Sequence, residues 1–370
     1  MLELPPLSLY IHYPWCLKKC PYCDFNSHEI VGSEEGYIGA LLNDLDEDLK
    51  YVQGRKIKSI FIGGGTPSLI KVDDLDELFN GLRERLTFDN KIEITLETNP
   101  GTFEVEKFKY FKQIGINRLS IGAQSFNDNN LKLLGRIHSS DETNYALEMA
   151  RITGFTNINI DLMYGMQNQT ISDSISDIER AIEFEPSHIS LYQLTIEPNT
   201  YFAKFPPQLP DDDKIWGMGE SGAKLLGKNG FERYEVSAYG KTLSKHNLNY
   251  WQFGDYIGIG AGAHGKITDI NDEKIFRTAK PRSPKDYLNS QESSDHVVEN
   301  LAFDFMLNAL RLRSGFDVSL FESRTGKSID TIEDKLSKLH NKNLLEVENT
   351  NIKASVKGFN FLNDLQGYFL

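Results

Sequence analysis

The three cysteines of this 370-residue chain, Cys16, Cys20 and Cys23, all lie within eight residues of one another. A mononuclear zinc site needs four ligands, and a cubane iron–sulfur cluster is normally held by four thiolates. No other cysteine in the sequence can complete either set. The CxxxCxxC spacing therefore predicts one of two sites. It is either a 4Fe–4S cluster with one iron open to a small molecule, or a zinc ion with His12 or His28 as the fourth ligand.

Charge and composition narrow the class of protein. The formal net charge of −13 disfavours nucleic acid and anionic lipid as main partners. The sequence shows no basic leader and no apolar run of about 20 residues, so we expect no membrane span and at most a peripheral membrane contact. Because the cysteines are clustered, we expect no disulfide framework and a cytoplasmic protein. We expect the protein to be a monomer or a homodimer.

Short apolar runs alternate with amphipathic stretches over the first half of the chain. This alternation is typical of a parallel sheet with helices outside, and right-handed crossovers curl such a sheet towards a barrel. Six units without a seventh and an eighth predict an α/β fold built on a partial (β/α)6 barrel. The predicted strands are 7–12, 57–62, 91–96, 118–121, 158–161 and 188–192, and the predicted helices are 34–52, 73–86, 104–114, 127–134, 141–153 and 171–184.

Polar residues or glycines follow the ends of the predicted strands. Three glycines at 63–65 follow the second strand, Glu97 ends the third, Gln124 follows the fourth and Asp161 ends the fifth. The carboxyl ends of barrel strands form one face, which holds the active site, so we expect these segments to converge there. The glycine turn is not followed by the Lys-Ser/Thr of a phosphate loop, which favours close backbone approach to another kind of ligand.

The second half of the chain predicts a smaller domain. We assign 1–266 to the barrel and its extension, 267–296 to an irregular polar linker, and 297–370 to a small α+β domain. Three helices and a hairpin make that domain winged-helix-like, and its acidity favours a packing role over DNA binding. The predicted elements after the barrel are a helix at 211–229, a strand at 231–236, helices at 300–312, 318–324 and 329–339, and a hairpin of 344–348 with 351–356.

The cysteine spacing, the aromatic residue before the last cysteine and the GGGTP turn at 63–67 resemble the radical S-adenosylmethionine (SAM) superfamily. In that superfamily the methionine end of SAM chelates the open iron, which favours the 4Fe–4S cluster over zinc. Its chemistry is reductive cleavage of SAM to methionine and a 5′-deoxyadenosyl radical. The resemblance implies SAM contacts at Tyr10, Tyr22, Gly64, Gly65, Thr66, Glu97, Gln124, Arg136 and Asp161. Such a set suits SAM, because carboxylates pair with its cationic groups and arginine with its carboxylate.

Further motifs between residues 7 and 362 resemble the coproporphyrinogen-dehydrogenase-like branch, and within it the HemW family of haem chaperones. They are LYIHYPWC from Leu9, GAQSF from Gly122, IDLMYG from Ile160, YEVS from Tyr234 and HNxxYW from His246. The true dehydrogenase, HemN, carries another cysteine two residues after the third, where this chain has Phe25, and it has a longer N-terminus. We therefore expect no second SAM and no coproporphyrinogen dehydrogenase activity.

The HNxxYW motif implies, by this resemblance, that His246 contacts haem. Imidazole is a common axial ligand of haem iron, and flanking aromatic rings can stack on a porphyrin. The residues themselves leave a second interpretation open, in which His246 forms hydrogen bonds in the core while Tyr250 and Trp251 pack. His264, in the glycine-rich turn at 258–265, is a weaker haem candidate that we interpret as structural.

These alternatives lead to three functions. The first is a haem chaperone-like radical SAM protein that binds a 4Fe–4S cluster, SAM and haem and transfers haem to respiratory acceptor proteins. The second is a radical SAM oxidoreductase acting on a porphyrinogen. The third is a zinc-stabilised binding protein without redox chemistry. The HNxxYW motif and the missing cysteine at Phe25 favour the first function.

Overall fold

The structure, a computed structural model, describes residues 1–30, 34–101 and 105–370. Its strands are β1 Leu7–Tyr13, β2 Trp15–Cys16, β3 His28–Glu29, β4 Ile57–Gly64, β5 Phe88–Thr98, β6 Arg118–Gln124, β7 Ile158–Tyr164, β8 His188–Gln193, β9 Glu232–Arg233, β10 Ala238–Gly240, β11 Asp255–Ile259, β12 His264–Asp269, β13 Lys274–Ala279, β14 Ser294–Val297, β15 Phe316–Asp317, β16 Leu345–Glu348 and β17 Asn351–Ala354.

The helices cover the outer face of the barrel and form most of the C-terminal domain. They are α1 Tyr37–Asp48, α2 Val72–Arg85, α3 Val105–Ile114, α4 Asp128–Leu133, α5 Ser140–Ile152, α6 Ile171–Glu183, α7 Tyr201–Lys204, α8 Asp212–Lys228, α9 Lys245–Trp251, α10 Pro284–Asn289, α11 Leu301–Ala309, α12 Val318–Thr325, α13 Glu333–Asn341, α14 Val356–Asn360 and α15 Leu362–Gly367. Within the described ranges, no helix is long and apolar enough to cross a membrane.

One twelve-stranded sheet carries the fold, in the order β14-β13-β12-β11-β1-β4-β5-β6-β7-β8-β10-β9. The neighbours from β1 to β8 in this order pair in parallel, as the barrel prediction requires. The six predicted strand–helix units are therefore confirmed, with strand ends within about three residues of the expected positions. Residue 104, the predicted first residue of the third helix, lies outside the described residues.

The period of each strand explains which side chains face the lumen of the barrel. In β6, Leu119, Ile121 and Ala123 are fully buried against the outer helices. The alternate residues Arg118, Ser120, Gly122 and Gln124 line the lumen instead, because successive side chains of a strand point to opposite faces. Helices α5 and α6 begin at capping boxes, Ser139 with Glu142 and Thr170 with Asp173, which satisfy N–H groups of the first turn.

The prediction of an irregular linker over 267–296 is wrong. Strand β11 pairs in parallel with β1 as a seventh barrel strand, and β12, β13 and β14 continue the sheet by antiparallel pairing. The glycine-rich segment at 258–265 is thus the end of β11, a turn and the start of β12. The predicted strand at 231–236 shrinks to β9. The assignment of domain limits at 266 and 296 stays a prediction.

Buried ion pairs explain why this extension of the sheet looked like a polar linker. Lys266 on β12 is almost fully buried, and its Nζ lies 2.9 Å from Asp255 Oδ1 on β11. The second oxygen of Asp255 lies 2.7 Å from Nη1 of Arg55, which precedes β4. Thr268 also donates to Asp255 Oδ1, at 2.8 Å. Polar side chains at inward positions therefore pair with one another, and the apolar alternation typical of a strand is lost.

The C-terminal domain has its own apolar core. Helices α11 to α13 pack with a three-stranded sheet in the order β15-β17-β16, around fully buried Phe305, Phe321 and Leu339. The predicted helices and hairpin are confirmed, while β15, α14 and α15 were not predicted. Phe253, which follows α9, joins the same core and stacks edge-on against Phe305 at a centroid distance of 5.6 Å. The barrel extension and the small domain are therefore packed together.

The substitution Asp255→Asn tests the buried ion cluster. It leaves Lys266 and Arg55 as buried cations without a counter-charge, so we expect the free energy of unfolding at pH 7 to fall by about 3–5 kcal/mol in urea titrations. Burial alone raises the pKa of Asp255, but Lys266 and Arg55 outweigh burial and depress it. The ion-pair stability is therefore present above the unfolded pKa of about 3.9 and is lost as the pH falls through the lower folded value.

The matched control is Asp89→Asn, which removes the carboxylate of an ion pair with exposed Lys58. A surface pair contributes little, so we expect this variant to unfold like the wild type. Equal loss of stability in both variants would contradict the role assigned to the buried cluster.

Candidate functional site

The carboxyl ends of the barrel strands and the cysteine-containing segment 16–28, here called the cysteine loop, enclose a cavity of about 400 Å³. We call it the barrel cavity. It brings together the three cysteines and eight of the nine predicted SAM positions. The lining residues from those sets are Cys16, Cys20, Cys23, Tyr22, Gly64, Gly65, Thr66, Glu97, Gln124, Arg136 and Asp161.

The chemistry of the three thiols fits a cluster. Burial and the neighbouring Cys23 and Cys20 raise the pKa of the Cys16 thiol to about 11, and burial also raises the pKa of Cys23. Such thiols stay protonated at neutral pH unless bound iron or another metal stabilises the thiolates. Among the described residues, no three His, Cys, Asp or Glu side chains are arranged around a single metal ion. A cubane does not require that arrangement, because each thiolate binds a different iron.

The two histidines considered as zinc ligands are not placed to complete a zinc site. His12 Nε2–H donates to the carbonyl of Asn26 at 2.8 Å, and its Nδ1 accepts from the Tyr10 hydroxyl at 2.9 Å, so both ring nitrogens are occupied. His28 does not line the barrel cavity. The side chains of the cysteine loop therefore suit a 4Fe–4S cluster better than a zinc ion.

Tyr10 is the one predicted SAM position that does not line the barrel cavity. Its ring stacks on Phe61 with centroids 6.3 Å apart, and Phe61 does face the cavity. Through its hydroxyl, Tyr10 fixes the ring of His12, which in turn holds Asn26 of the cysteine loop. In this structure Tyr10 thus acts on the site through other side chains.

Asn26 and Lys19 tie the cysteine loop to its surroundings. The Asn26 amide donates to the carbonyls of Ala261 and Arg282, both at 2.8 Å, which anchors the loop to the segment after β11. Lys19 Nζ donates to the carbonyls of Phe25 and Ser27, at 3.1 and 3.0 Å, and so closes the loop on itself. These bonds fix a segment that has almost no regular structure.

A chain of polar contacts links the cysteine loop to the glycine turn. Arg136 Nη1 lies 3.5 Å from Cys20 Sγ, and its Nη2 donates to Asn99 Oδ1 at 2.6 Å and to the Gly122 carbonyl at 3.0 Å. The Asn99 amide donates to Thr66 Oγ1 at 2.9 Å. Arg136 is therefore oriented by the protein, with its guanidinium beside a cysteine and on the cavity wall.

The glycine turn packs too closely on β1 to carry side chains. The Gly65 N–H donates to the Tyr13 carbonyl, and the Thr66 N–H donates to the Trp15 carbonyl, each at 2.7 Å. A Cβ at position 65 would lie 2.3 Å from the Trp15 carbonyl oxygen, and one at Gly64 would lie 2.6 Å from the ring of His12. Gly64 also has a φ of 115°, which an L side chain rarely adopts.

Two carboxylates face the cavity from β5 and β7, the strands on either side of β6. Glu97 Oε2 accepts from the Gly64 N–H at 3.0 Å, and Asp161 accepts from Ser120 Oγ at 3.1 Å and from the Asn159 amide at 2.8 Å. Burial, with the nearby Asp161 carboxylate, raises the pKa of Glu97 to about 8. Burial also raises the pKa of Asp161. A cationic ligand would relieve this electrostatic cost, and the sulfonium and ammonium groups of SAM are such cations.

His246 is not part of the cavity wall. Only 1% of its surface is exposed, and it lies behind Phe61, with ring centroids 5.1 Å apart. Its Nδ1 is 2.9 Å from Ser59 Oγ, and its Nε2 is 2.8 Å from the Tyr250 hydroxyl. Burial lowers its pKa to about 3, so the ring is neutral. Both nitrogens are thus occupied, as in the core-histidine interpretation, and the next residue, Asn247, lines the cavity instead.

Several residues of the site were not predicted from the sequence. Asn99 could have been found, because it follows the end of β5 as the other cavity residues follow their strands. The tethering roles of His12 and Asn26 gave no signal, since they depend on contacts with segments far along the chain. Arg118 also lines the cavity but begins its strand rather than ending it. His264 is exposed at the start of β12 and also lies outside the cavity wall.

The substitution Gly65→Ala tests the packing of the glycine turn. The added Cβ would collide with the backbone of Trp15, immediately before Cys16, so we expect displaced loops and loss of most of the iron bound after anaerobic reconstitution. Iron and sulfide content per chain, with the visible absorption of the cluster, measures this. Gly39→Ala is the control: it lies in α1 with no atom within 4 Å of the new Cβ and should bind iron normally. Normal iron content in both variants would contradict the proposed packing.

Comparison with known proteins agrees with this geometry. The family described as the radical SAM superfamily matches residues 10–181, and the HemN C-terminal domain matches residues 298–361. The solved structure of coproporphyrinogen III oxidase (HemN) from Escherichia coli superposes with a TM-score of 0.83 at 22% identity, covering 99% of this chain and 90% of that chain. The likeness in structure confirms the predicted fold, a radical SAM barrel with a small C-terminal domain.

Curated relatives extend over nearly the whole chain. The heme chaperone HemW of Escherichia coli K12 is 48% identical over 343 residues, which are 91% of this chain and 90% of that protein. The heme chaperone HemW of Haemophilus influenzae is 46% identical over 381 residues, covering 100% of this chain and 99% of that protein. The resemblance noted in the sequence is thereby confirmed, and the chain belongs to the HemW family of radical SAM proteins.

Proposed function

We propose that this protein is a cytoplasmic haem chaperone that binds a 4Fe–4S cluster, SAM and haem, and transfers haem to respiratory acceptor proteins. The observation that carries the proposal is the convergence of three cysteines and eight expected SAM positions on one cavity. The haem part of the proposal draws on the relatives, which are named heme chaperones.

The residues present fit the cluster and SAM in distinct roles. Cys16, Cys20 and Cys23 would each hold one iron, and the fourth iron would take the amino and carboxylate groups of SAM. Arg136, already oriented beside Cys20, would balance the SAM carboxylate, and Glu97 would pair with a cationic group. Asp161 would accept from ribose hydroxyls. When bound, the cluster supplies one-electron chemistry to SAM.

A second candidate is a radical SAM oxidoreductase acting on a porphyrinogen. The specific observation in its favour is that eight of the nine expected SAM positions line the cavity, a set that a protein carrying only haem would not need. Phe25 argues against dehydrogenase activity of the HemN type, because it lines the cavity at the position where that enzyme has another cysteine. The third function, zinc binding without redox chemistry, has less support, because His12 has no free nitrogen.

Haem titration and a substrate assay on one anaerobically reconstituted sample separate the first two functions. We expect saturable binding of haemin, seen in the Soret band, and no conversion of coproporphyrinogen III to protoporphyrinogen IX. Conversion by the pure protein would establish the oxidoreductase instead. Absence of haemin binding would remove the chaperone function.

His246 as an axial ligand stays a prediction, and the same titration tests it. To reach haem iron, its ring would have to give up the hydrogen bonds to Ser59 and Tyr250. If it is the ligand, His246→Ala changes the Soret spectrum, whereas Tyr250→Phe, which keeps the imidazole, leaves the spectrum unchanged. An unaltered spectrum in His246→Ala would assign the motif to the core alone.

The pH dependence of SAM affinity tests the role of Glu97. With a pKa near 8, Glu97 is mostly protonated at pH 7 in the free protein, and it must ionise to pair with a cation. We therefore expect SAM affinity to rise with pH, at most about tenfold per pH unit, and to level off above pH 8. In Glu97→Gln the part of the pH profile due to this ionisation should vanish. Superimposable profiles from equilibrium dialysis of SAM against the two proteins would exclude the pairing.

A further inference from the structure

Arg118, the first residue of β6, is a buried cation whose guanidinium has no hydrogen-bonded or ion-paired partner among the described residues. Only 3% of its surface is exposed, and its side chain lines the barrel cavity. Its side chain forms no hydrogen bond or ion pair with any residue in the described parts of the chain. A guanidinium is always charged at physiological pH and carries five N–H donors. Because buried charges in proteins are normally paired, this arginine points to an anion that the protein itself does not supply.

The two lumen carboxylates that act on Arg118 electrostatically form their hydrogen bonds with other groups. Glu97 accepts from the Gly64 N–H, and Asp161 accepts from Ser120 and Asn159. Both act on Arg118 only through longer-range electrostatics. The histidines that feel its charge, His188 and His246, are buried with their pKa lowered, so they are neutral. The guanidinium therefore stays available at the base of the cavity.

The surrounding walls describe the rest of the ligand. Phe61 and Tyr192 present aromatic side chains to the cavity from β4 and β8, and Ser120, Asn159 and Ser190 add small polar groups to the cavity wall. Aromatic walls together with the planar cation of Arg118 suit a molecule with an aromatic body and a carboxylate arm. The planar fork of arginine matches a carboxylate through two parallel hydrogen bonds.

We propose that Arg118 binds a carboxylate of the ligand that enters the barrel cavity, and that this carboxylate is a propionate of haem. This inference rests on the proposed haem function and adds to it the residue that recognises the acidic edge of the porphyrin. Arg118 is not one of the nine expected SAM positions, and it begins β6, whereas Gln124 ends the same strand.

The test compares haemin with haemin dimethyl ester, in which both propionates are neutral, on the reconstituted full-length protein. Wild-type protein should bind haemin at least about tenfold more tightly than the ester, as expected for one charge-assisted pair. Arg118→Gln should lose about that factor for haemin and nothing for the ester. Arg118→Lys keeps the charge but not the planar fork, so its haemin affinity should lie between those of the wild type and Arg118→Gln. Arg180→Gln, on the outer helix α6, is the matched control and should behave as wild type.

The outcomes distinguish failure of the haem function from failure of the role proposed for Arg118. Binding of neither compound by wild-type protein with an intact cluster would overturn the haem function and this inference with it. Equal binding of haemin and ester, or an equal loss of both in Arg118→Gln, would overturn only the inference. A loss of SAM affinity in Arg118→Gln with unchanged haemin binding would assign the arginine to the SAM carboxylate instead. Iron content and far-ultraviolet circular dichroism of each variant establish that it is folded. If Arg118→Gln does not fold, the affinities of Arg118→Lys for haemin and its ester are compared with those of the wild type instead.

Discussion

The position of the cysteine loop depends on hydrogen bonds to other segments, because the loop has almost no regular structure of its own. His12 holds Asn26 from the end of β1, and Asn26 in turn holds the segment after β11. From the other side, Arg136 joins Cys20 to Asn99 and the glycine turn. The three thiols therefore face the cavity only when β1, β5 and β11 are all in place. The geometry of the site therefore depends on the complete barrel.

The HNxxYW motif also connects segments that are far apart in the sequence. Tyr250 stacks edge-on against Tyr256 of β11 at 4.4 Å, and the Arg311 guanidinium lies 4.2 Å from the Trp251 ring. The motif thus joins the barrel to the C-terminal domain, and its His246 supports Phe61 on the cavity wall. Any movement of α9 that exposed His246 to haem would also disturb this junction.

The barrel and the site at its mouth could be predicted from the sequence where apolar periodicity and strand ends coincide. β4, with buried Ile57, Ile60 and Ile62 followed by three glycines, is such a case. The seventh parallel strand, β11, could not be predicted, because it begins with a buried carboxylate, Asp255, that pairs with Lys266 of β12. The tethering role of His12 was also hidden, since a lone histidine in a strand does not indicate which distant carbonyl it contacts. Burial of His246 was one of two interpretations that the residues left open.

The central claim is that three cysteines leave one iron of a 4Fe–4S cluster open to SAM within the barrel cavity. Mössbauer spectroscopy of protein reconstituted with ⁵⁷Fe, recorded with and without SAM, tests it most directly. We expect a cubane in which one iron of the four changes its isomer shift when SAM is added. A cluster whose four irons are all unaffected by SAM, or a reconstituted protein without a cubane, would contradict the claim.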